Sequence, residues 1–370
     1  MTTRKTKRIG SIQACRGIAA LLVVLDHLSN VELKYCSTQR MRFFAHGAVG
    51  VDLFFVISGV VIASVIDAKS GDRSYPSTFL FHRFARIFPV YWCYTTIVLV
   101  ALLCNPNWIN QSSGHQVNIV ASYLLIPTAH GMLVAQGYTL SFEIYFYLVI
   151  ALLLMLAPKK NFPWILGIWG IAVCAVAAFW PPSQPVLQVL INPEILEFLA
   201  GFAIFQIYRR SELPALVGKL VILSALLWLT CIIIWHARVY QGSVIPIWPG
   251  LWSRPALYGS FSALFILGAV ELDRSGLVRY FKPLIAIGDW SYSIYLSHII
   301  VVEAVGRFAY RFMRGTPGLI FLVDLVSIPC VLGVGYLSYA FLERPLMDFV
   351  SRRNYSGLRA HENKLEMKHT

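Results

Sequence analysis

Apolar stretches long enough to cross a bilayer recur from one end of this chain to the other. A helix rises about 1.5 Å per residue, so roughly 20 apolar residues traverse a hydrocarbon core of about 30 Å. Ten such segments are read at 9–28, 43–66, 87–104, 138–157, 162–179, 189–208, 219–236, 251–271, 284–306 and 318–341. The stretch 118–135 is a weaker eleventh candidate, interfacial or re-entrant in character. Of the 370 residues, 57% are hydrophobic and 13% charged. A soluble domain carries about 25% charged residues, and one of this size has no way to bury so much apolar surface. The expected fold class is therefore all-α: a polytopic helical membrane protein of about ten transmembrane helices.

An even number of spans puts both termini on one side of the membrane. If that side is cytoplasmic, most of the 31 Lys and Arg fall in cytoplasmic segments, as the positive-inside rule requires. This bias, with attraction to anionic headgroups, accounts for the net charge of +13. No nucleic-acid motif accompanies that charge, so the expected partner is the bilayer and not a nucleic acid. The basic run Arg4, Lys5, Lys7, Arg8 precedes an apolar stretch, but that stretch contains Arg16 and lacks a clear small-residue cleavage site. It reads as a topology signal, not as a cleaved leader. The seven cysteines are scattered with no Cys-x-x-Cys, so no metal site is expected. Cys36 and Cys104 are the pair that can share the exterior, with free thiols the expectation. The chain divides into a basic cytoplasmic N-terminus (1–8), one membrane domain (9–346) and a basic cytoplasmic tail (347–370). No internal repeat is evident, which argues against an inverted-repeat transporter.

Ionisable residues inside spans are costly and mark candidate sites. Arg16 and His27 stand eleven residues apart in the first span. At about 100° per residue they share one face, roughly 16 Å apart along the axis. A guanidinium at one end and an imidazole at the other suit a long donor with phosphates at one end and a thioester at the other, as in coenzyme A. The same pair can equally snorkel to the two headgroup layers. Asp26 points about 100° away from His27 and is expected to cap the end of the span. Asp52, inside the apolar run of the second span, needs an interior cation. Arg83 and Arg86 are neighbours on one helical face and form either a diphosphate clamp or ordinary topology signals. In the fourth span Glu143 sits one turn from Tyr147, positioned to orient His27, to hold sugar hydroxyls, or simply to be solvated. Ser291, Tyr295 and His298 make a polar stripe through the ninth span, lining a cavity or bonding between helices. Glu194 fits first-turn chemistry after Asn192 and Pro193, and Glu197 is harder to dismiss. These features leave three classes open: an acyltransferase, a proton-coupled transporter, and a lipid-linked sugar flippase or polymerase.

The ordered motifs resemble the membrane acyltransferase-3 family, which includes bacterial O-acetylases of lipopolysaccharide and exopolysaccharide. The resemblance rests on Ile12-Gln13-Ala14-Cys15-Arg16-Gly17 leading to His27, on Gly50-Val51-Asp52-Leu53-Phe54-Phe55-Val56-Ile57-Ser58-Gly59, and on Arg83-x-x-Arg86 with Pro89. It continues with Leu140-Ser141-Phe142-Glu143, Ser291-Tyr292-Ser293-Ile294-Tyr295-Leu296-Ser297-His298 and Glu343-Arg344-Pro345. The match is closest to members that decorate exopolysaccharide. It implies ten spans in the bacterial cytoplasmic (inner) membrane, a cytoplasmic acyl-CoA donor, most simply acetyl-CoA, and a carbohydrate acceptor. It also implies that His27 is the principal catalytic residue and that Arg16, Arg83 and Arg86 contact the donor. In that mechanism His27 acts as general base or takes the acyl group itself, with Glu143 or Asp52 orienting it. Ser141, Tyr147, Tyr295 and His298 are expected to line the substrate path. Some members carry a soluble esterase-like domain after the membrane part, and none is expected in this chain. Phe142 is bulkier than the residue associated with its place in the motif.

Overall fold

The computed structural model describes residues 9–36, 40–68, 75–108, 116–156, 161–239, 251–276, 280–313 and 321–350. The basic N-terminal segment and the tail beyond residue 350 lie outside these, as does the Cys36 side chain of the suggested cysteine pair. The helices are α1 (Gly10–Cys36), α2 (Val49–Ala68), α3 (Tyr75–Cys104), α4 (Ile119–Leu124), α5 (Gly137–Leu156) and α6 (Phe162–Phe179). They continue as α7 (Pro185–Leu190), α8 (Ile195–Arg210), α9 (Ala215–Val239), α10 (Ser260–Arg274), α11 (Lys282–Met313) and α12 (Phe321–Ser338). Among the described residues, ten helices are long and apolar enough to cross a membrane. The fold is that of an all-α, multi-pass membrane protein.

Three boundaries differ from the sequence expectation. Helix α1 runs to Cys36 instead of stopping near residue 28, so Asp26 lies inside the helix and is not a cap. Helix α3 starts at Tyr75, well before residue 87. Its basic first half reads as a loop on hydropathy alone; in the structure it is helical, and Arg83 turns into the protein, where it is buried. The candidate stretch 118–135 forms only the short α4. Asn118 caps α4 by accepting from Ala121 N at 2.9 Å, and Leu125 ends it in a left-handed conformation with φ of 56°. The chain then folds back, with Leu133 N donating to Ser122 Oγ at 3.0 Å.

Helix α1 is the central strut, packed along α11 and against α2. Small residues set these seams. A Cβ on Gly288 of α11 would strike the Gln13 carbonyl of α1, and one on Gly50 of α2 would strike the Ala19 carbonyl. Without a side chain at either position the backbones come into direct contact, the usual means of tight helix association in lipid. An aromatic cluster locks α2, α5 and α8 together, with Phe198 ring centroids 4.7 Å from Phe55 and 4.5 Å from Phe146. Helix α9 exposes Leu216, Leu220, Leu223 and Leu227 along one stripe, as a lipid-facing helix should.

Candidate active site

Arg16 of α1 and Arg83 and Arg86 of α3 converge on one cavity of about 80 Å³. Glu143 and Tyr147 of α5, Ser58 of α2 and Ser291 and Tyr295 of α11 complete its walls. Arg83 is held with its guanidinium carbon 5.4 Å from the ring centroids of both Phe79 and Tyr147. These cation–π contacts desolvate and aim it. Arg16 donates to Gln13 Oε1 at 3.3 Å, and Gln13 in turn donates to Asp289 of α11. Glu143 accepts from Ser58 Oγ at 3.1 Å and from the Tyr147 hydroxyl. Three guanidiniums thus line the cavity with one carboxylate, Asp289 and Glu343 stand close enough to act on Arg16, and the guanidinium forks offer a polyanion paired N–H donors.

His27 lies further along α1 and borders a second cavity with Asn30, Lys34, Ile299 and Glu303. Its Nδ1 is 3.0 Å from the Val23 carbonyl. A carbonyl can only accept, so Nδ1 carries the proton and Nε2 keeps its lone pair for incoming chemistry. The ring sits edge-on to His298 of α11, with centroids 4.9 Å apart and planes at 76°. His298 is fully buried. Its Nδ1 lies 2.7 Å from the Tyr295 carbonyl, and its Nε2 has no partner among the described residues. The Tyr295 ring lies 5.8 Å from that of His298 and also lines the arginine cavity. One tyrosine, hydrogen-bonded to Thr139, therefore stands between the two cavities.

Neither carboxylate expected to orient His27 is placed to do so. Glu143 belongs to the arginine cavity. Asp52 is fully buried and taken by Arg254, whose Nε and Nη2 reach its two oxygens at 3.0 and 3.1 Å. Glu194 lies 3.8 Å from the same guanidinium, so its role is charge pairing and not the capping expected of it. Glu197 is buried beside this group. The carboxylate nearest the imidazole is Asp26, 3.8 Å from His27 Nδ1. Two consecutive helical residues diverge by about 100°, but both are long enough for their tips to meet.

Ser141 also departs from expectation. It is buried, and its hydroxyl lies 2.8 and 2.9 Å from the Leu125 and Gly137 carbonyls, holding the fold-back after α4 and not facing the cavity. Tyr147 and Tyr295 line the arginine cavity, while His298 contacts His27 directly. The sequence reading missed Arg254, although an arginine in an apolar segment is the same signal that marked Arg16. It also missed Asn30 and Lys34, which follow His27 at one-face spacings of three and seven.

Residues 9–339 match the family described as an acyltransferase domain. The exopolysaccharide production protein ExoZ of Rhizobium meliloti (strain 1021) is 30% identical over 326 residues, covering 85% of this chain and 94% of that protein. The acyltransferase MdmB of Streptomyces mycarofaciens is 24% identical over 384 residues, covering 94% of this chain and 93% of that protein. No solved structure matches the chain. With the family match spanning nearly the whole helical bundle and both candidate cavities, this chain belongs to the acyltransferase-3 family.

Proposed function

We propose that this protein transfers an acyl group, most simply acetyl, from cytoplasmic acyl-coenzyme A to a hydroxyl of a cell-surface carbohydrate or its lipid-linked precursor, in the bacterial cytoplasmic membrane. The observation that carries this reading is the placement of both ends of the chemistry along α1. Three arginines gather at Arg16, and an imidazole with a free Nε2 stands at His27. The arginine cavity holds one end of a long donor, with guanidiniums gripping phosphate oxygens. The name of the relative ExoZ, an exopolysaccharide production protein, supports a glycan as acceptor.

In this mechanism His27 Nε2 removes the proton from an acceptor hydroxyl as its oxygen attacks the thioester carbonyl carbon. The carbon–sulfur bond breaks, and the coenzyme A thiolate leaves and takes up the proton that His27 held. His298, buried against His27, helps to fix the ring's position. The arginines keep the donor in register, which lowers the entropic part of the barrier.

The test uses the purified full-length protein in lipid nanodiscs, radiolabelled acetyl-CoA, and de-O-acylated saccharide prepared from the cell's own surface glycan. Wild type is expected to label the saccharide and His27→Ala to fail while inserting normally. Undiminished labelling by His27→Ala overturns the reading. So does movement of saccharide across vesicles without coenzyme A and in response to a proton gradient, which describes a transporter.

A further inference from the structure

Helix α11 is tied to α3 at Tyr292 and at Ser297, which pairs with Tyr94, and to the short turn after α3 at Trp108. The Tyr292 hydroxyl donates to the Ile87 carbonyl at 2.7 Å, and Arg307 Nη2 donates to the Trp108 carbonyl at 2.8 Å. Between these contacts lies a cavity of about 600 Å³, within the usual range for small-molecule sites. Its walls are aliphatic, with Ile97 and Ala101 on α3 facing Ile300 and Ala304 on α11. Three of its lining residues, Lys34, Ile299 and Glu303, also border the His27 cavity. The two spaces are therefore neighbours that share part of a wall.

We infer that this cavity binds a saccharide unit of the acceptor and delivers its hydroxyl to His27. The inference rests on the acyl-transfer reading and supplies the acceptor site that the arginine cavity does not. Gln136 lines the cavity at 5% exposure, and its amide nitrogen has no hydrogen-bond partner among the described residues. A buried donor left unsatisfied is unfavourable, and a lipid chain filling the space would leave it so. A sugar hydroxyl satisfies it. Trp108, half exposed at the rim, offers a flat apolar face with a polar edge, matching the C–H face of a pyranose. The remaining polar rim sets one carboxylate between two cations. Glu303 accepts from Lys34 at 2.8 Å and from the Tyr35 hydroxyl at 2.6 Å, with Arg307 at 3.5 Å. Ammonium, guanidinium and carboxylate groups on one rim can donate to and accept from the hydroxyls of a sugar.

The experiment measures binding separately from transfer. Fluorescently tagged, de-O-acylated saccharide from the host's surface glycan is titrated against the full-length protein in nanodiscs. A second titration uses the lipid-linked saccharide fraction extracted from the membranes. Gln136→Leu and Trp108→Ala are each expected to weaken saccharide binding by about tenfold, the order of one lost neutral hydrogen bond or one aromatic face. The KM for acetyl-CoA is expected to stay at the wild-type value, and Trp108→Phe to recover most of the affinity. Binding of the extracted fraction alone identifies a lipid-linked source, and binding of both fractions identifies the sugar itself as the determinant. If neither fraction binds wild type, or if both variants bind as wild type does, the inference is overturned. Saccharide binding that the two variants lose, in a protein that takes no acyl group from coenzyme A, supports the cavity while removing the donor reading. Transfer that proceeds with wild-type saccharide KM in both variants removes the cavity and leaves the donor reading standing.

Discussion

The two ends of α1 solve opposite problems. Around Arg16, three guanidiniums and a carboxylate from α1, α3 and α5 are drawn together and kept in place by rings and hydroxyls. Around His27 the groups are fewer and the charges are matched, with the imidazole side chain 36% exposed and its carboxylate neighbour nearly buried. A cluster of like charges is expensive to hold in a membrane and is warranted only where a counter-charge arrives from outside. A single imidazole with one nitrogen engaged brings no cluster of like charges with it. The Arg16 end is built to bind and the His27 end to react. If that division is right, damage at the two ends should appear in different kinetic constants.

The largest effect is expected at the reactive end. Loss of a positioned general base typically costs about 10²- to 10⁴-fold, so His27→Ala should lower kcat by that order while acetyl-CoA binding, measured by equilibrium titration, stays at the wild-type level. An equal loss of donor binding would break the proposed division, because it would make His27 part of the binding end.

The next effect falls on neither end but on the ion pair beside them. Arg254→Met leaves Asp52 fully buried and without its guanidinium. Removing one partner of a buried pair costs about 3–5 kcal/mol. A marked fall in thermal melting temperature in nanodiscs is expected, with activity lost in proportion to folded protein. Normal stability with selective loss of turnover would instead move Asp52 and Arg254 into the chemistry.

At the binding end, charge-assisted hydrogen bonds are each worth about 1.5–3 kcal/mol. Arg83→Ala and Arg86→Ala should therefore each raise the KM for acetyl-CoA on the order of tenfold to a hundredfold, with kcat at saturating donor little changed. Unchanged donor KM in the double variant would end the clamp reading and leave these arginines as topology signals.

The ten spans were legible because each is a local property: length and apolarity decide it, and all ten appear as helices. The gathering of Arg16, Arg83 and Arg86 was legible in part, since spacing placed each on a face though not the faces toward one another. The pairings that define the site were not legible. Asp52 required an interior cation, but nothing local says that the cation lies 202 positions away at Arg254. Likewise His27 meets His298 across the α1–α11 seam, a contact set by the close approach at Gly288. The role of Ser141 was misread because a hydroxyl in a polar motif carries no local sign of whether it faces a cavity or a backbone carbonyl. The early start of α3 escaped because hydropathy scores an arginine as exposed even when aromatic rings bury it.

The smallest predicted effect most sharpens the contrast between the two ends. Asp26 approaches His27 Nδ1 at 3.8 Å, and Asn30 Nδ2 at 3.4 Å, the Ala48 backbone and the Arg254 charge also act on it. When Nε2 takes the acceptor's proton the ring becomes a cation, and Asp26 then stabilises the transition state more than the ground state. The imidazole is partly open to solvent, so the attraction is screened to about 0.5–1 kcal/mol. Asp26→Asn keeps the size and the contact to Asn30 but removes the charge. It should lower kcat by up to about fivefold with both KM values unchanged, since roughly 1 kcal/mol corresponds to that factor. Asp26→Glu should recover part of the loss, and high salt should shrink the difference between wild type and Asp26→Asn. A change in KM for acetyl-CoA would place Asp26 with the binding end, and a loss as large as that of His27→Ala would mean that the carboxylate handles the proton itself. A kcat effect of a few-fold, confined to one constant and sensitive to salt, is what a positioning charge beside a reacting imidazole produces and a structural contact does not.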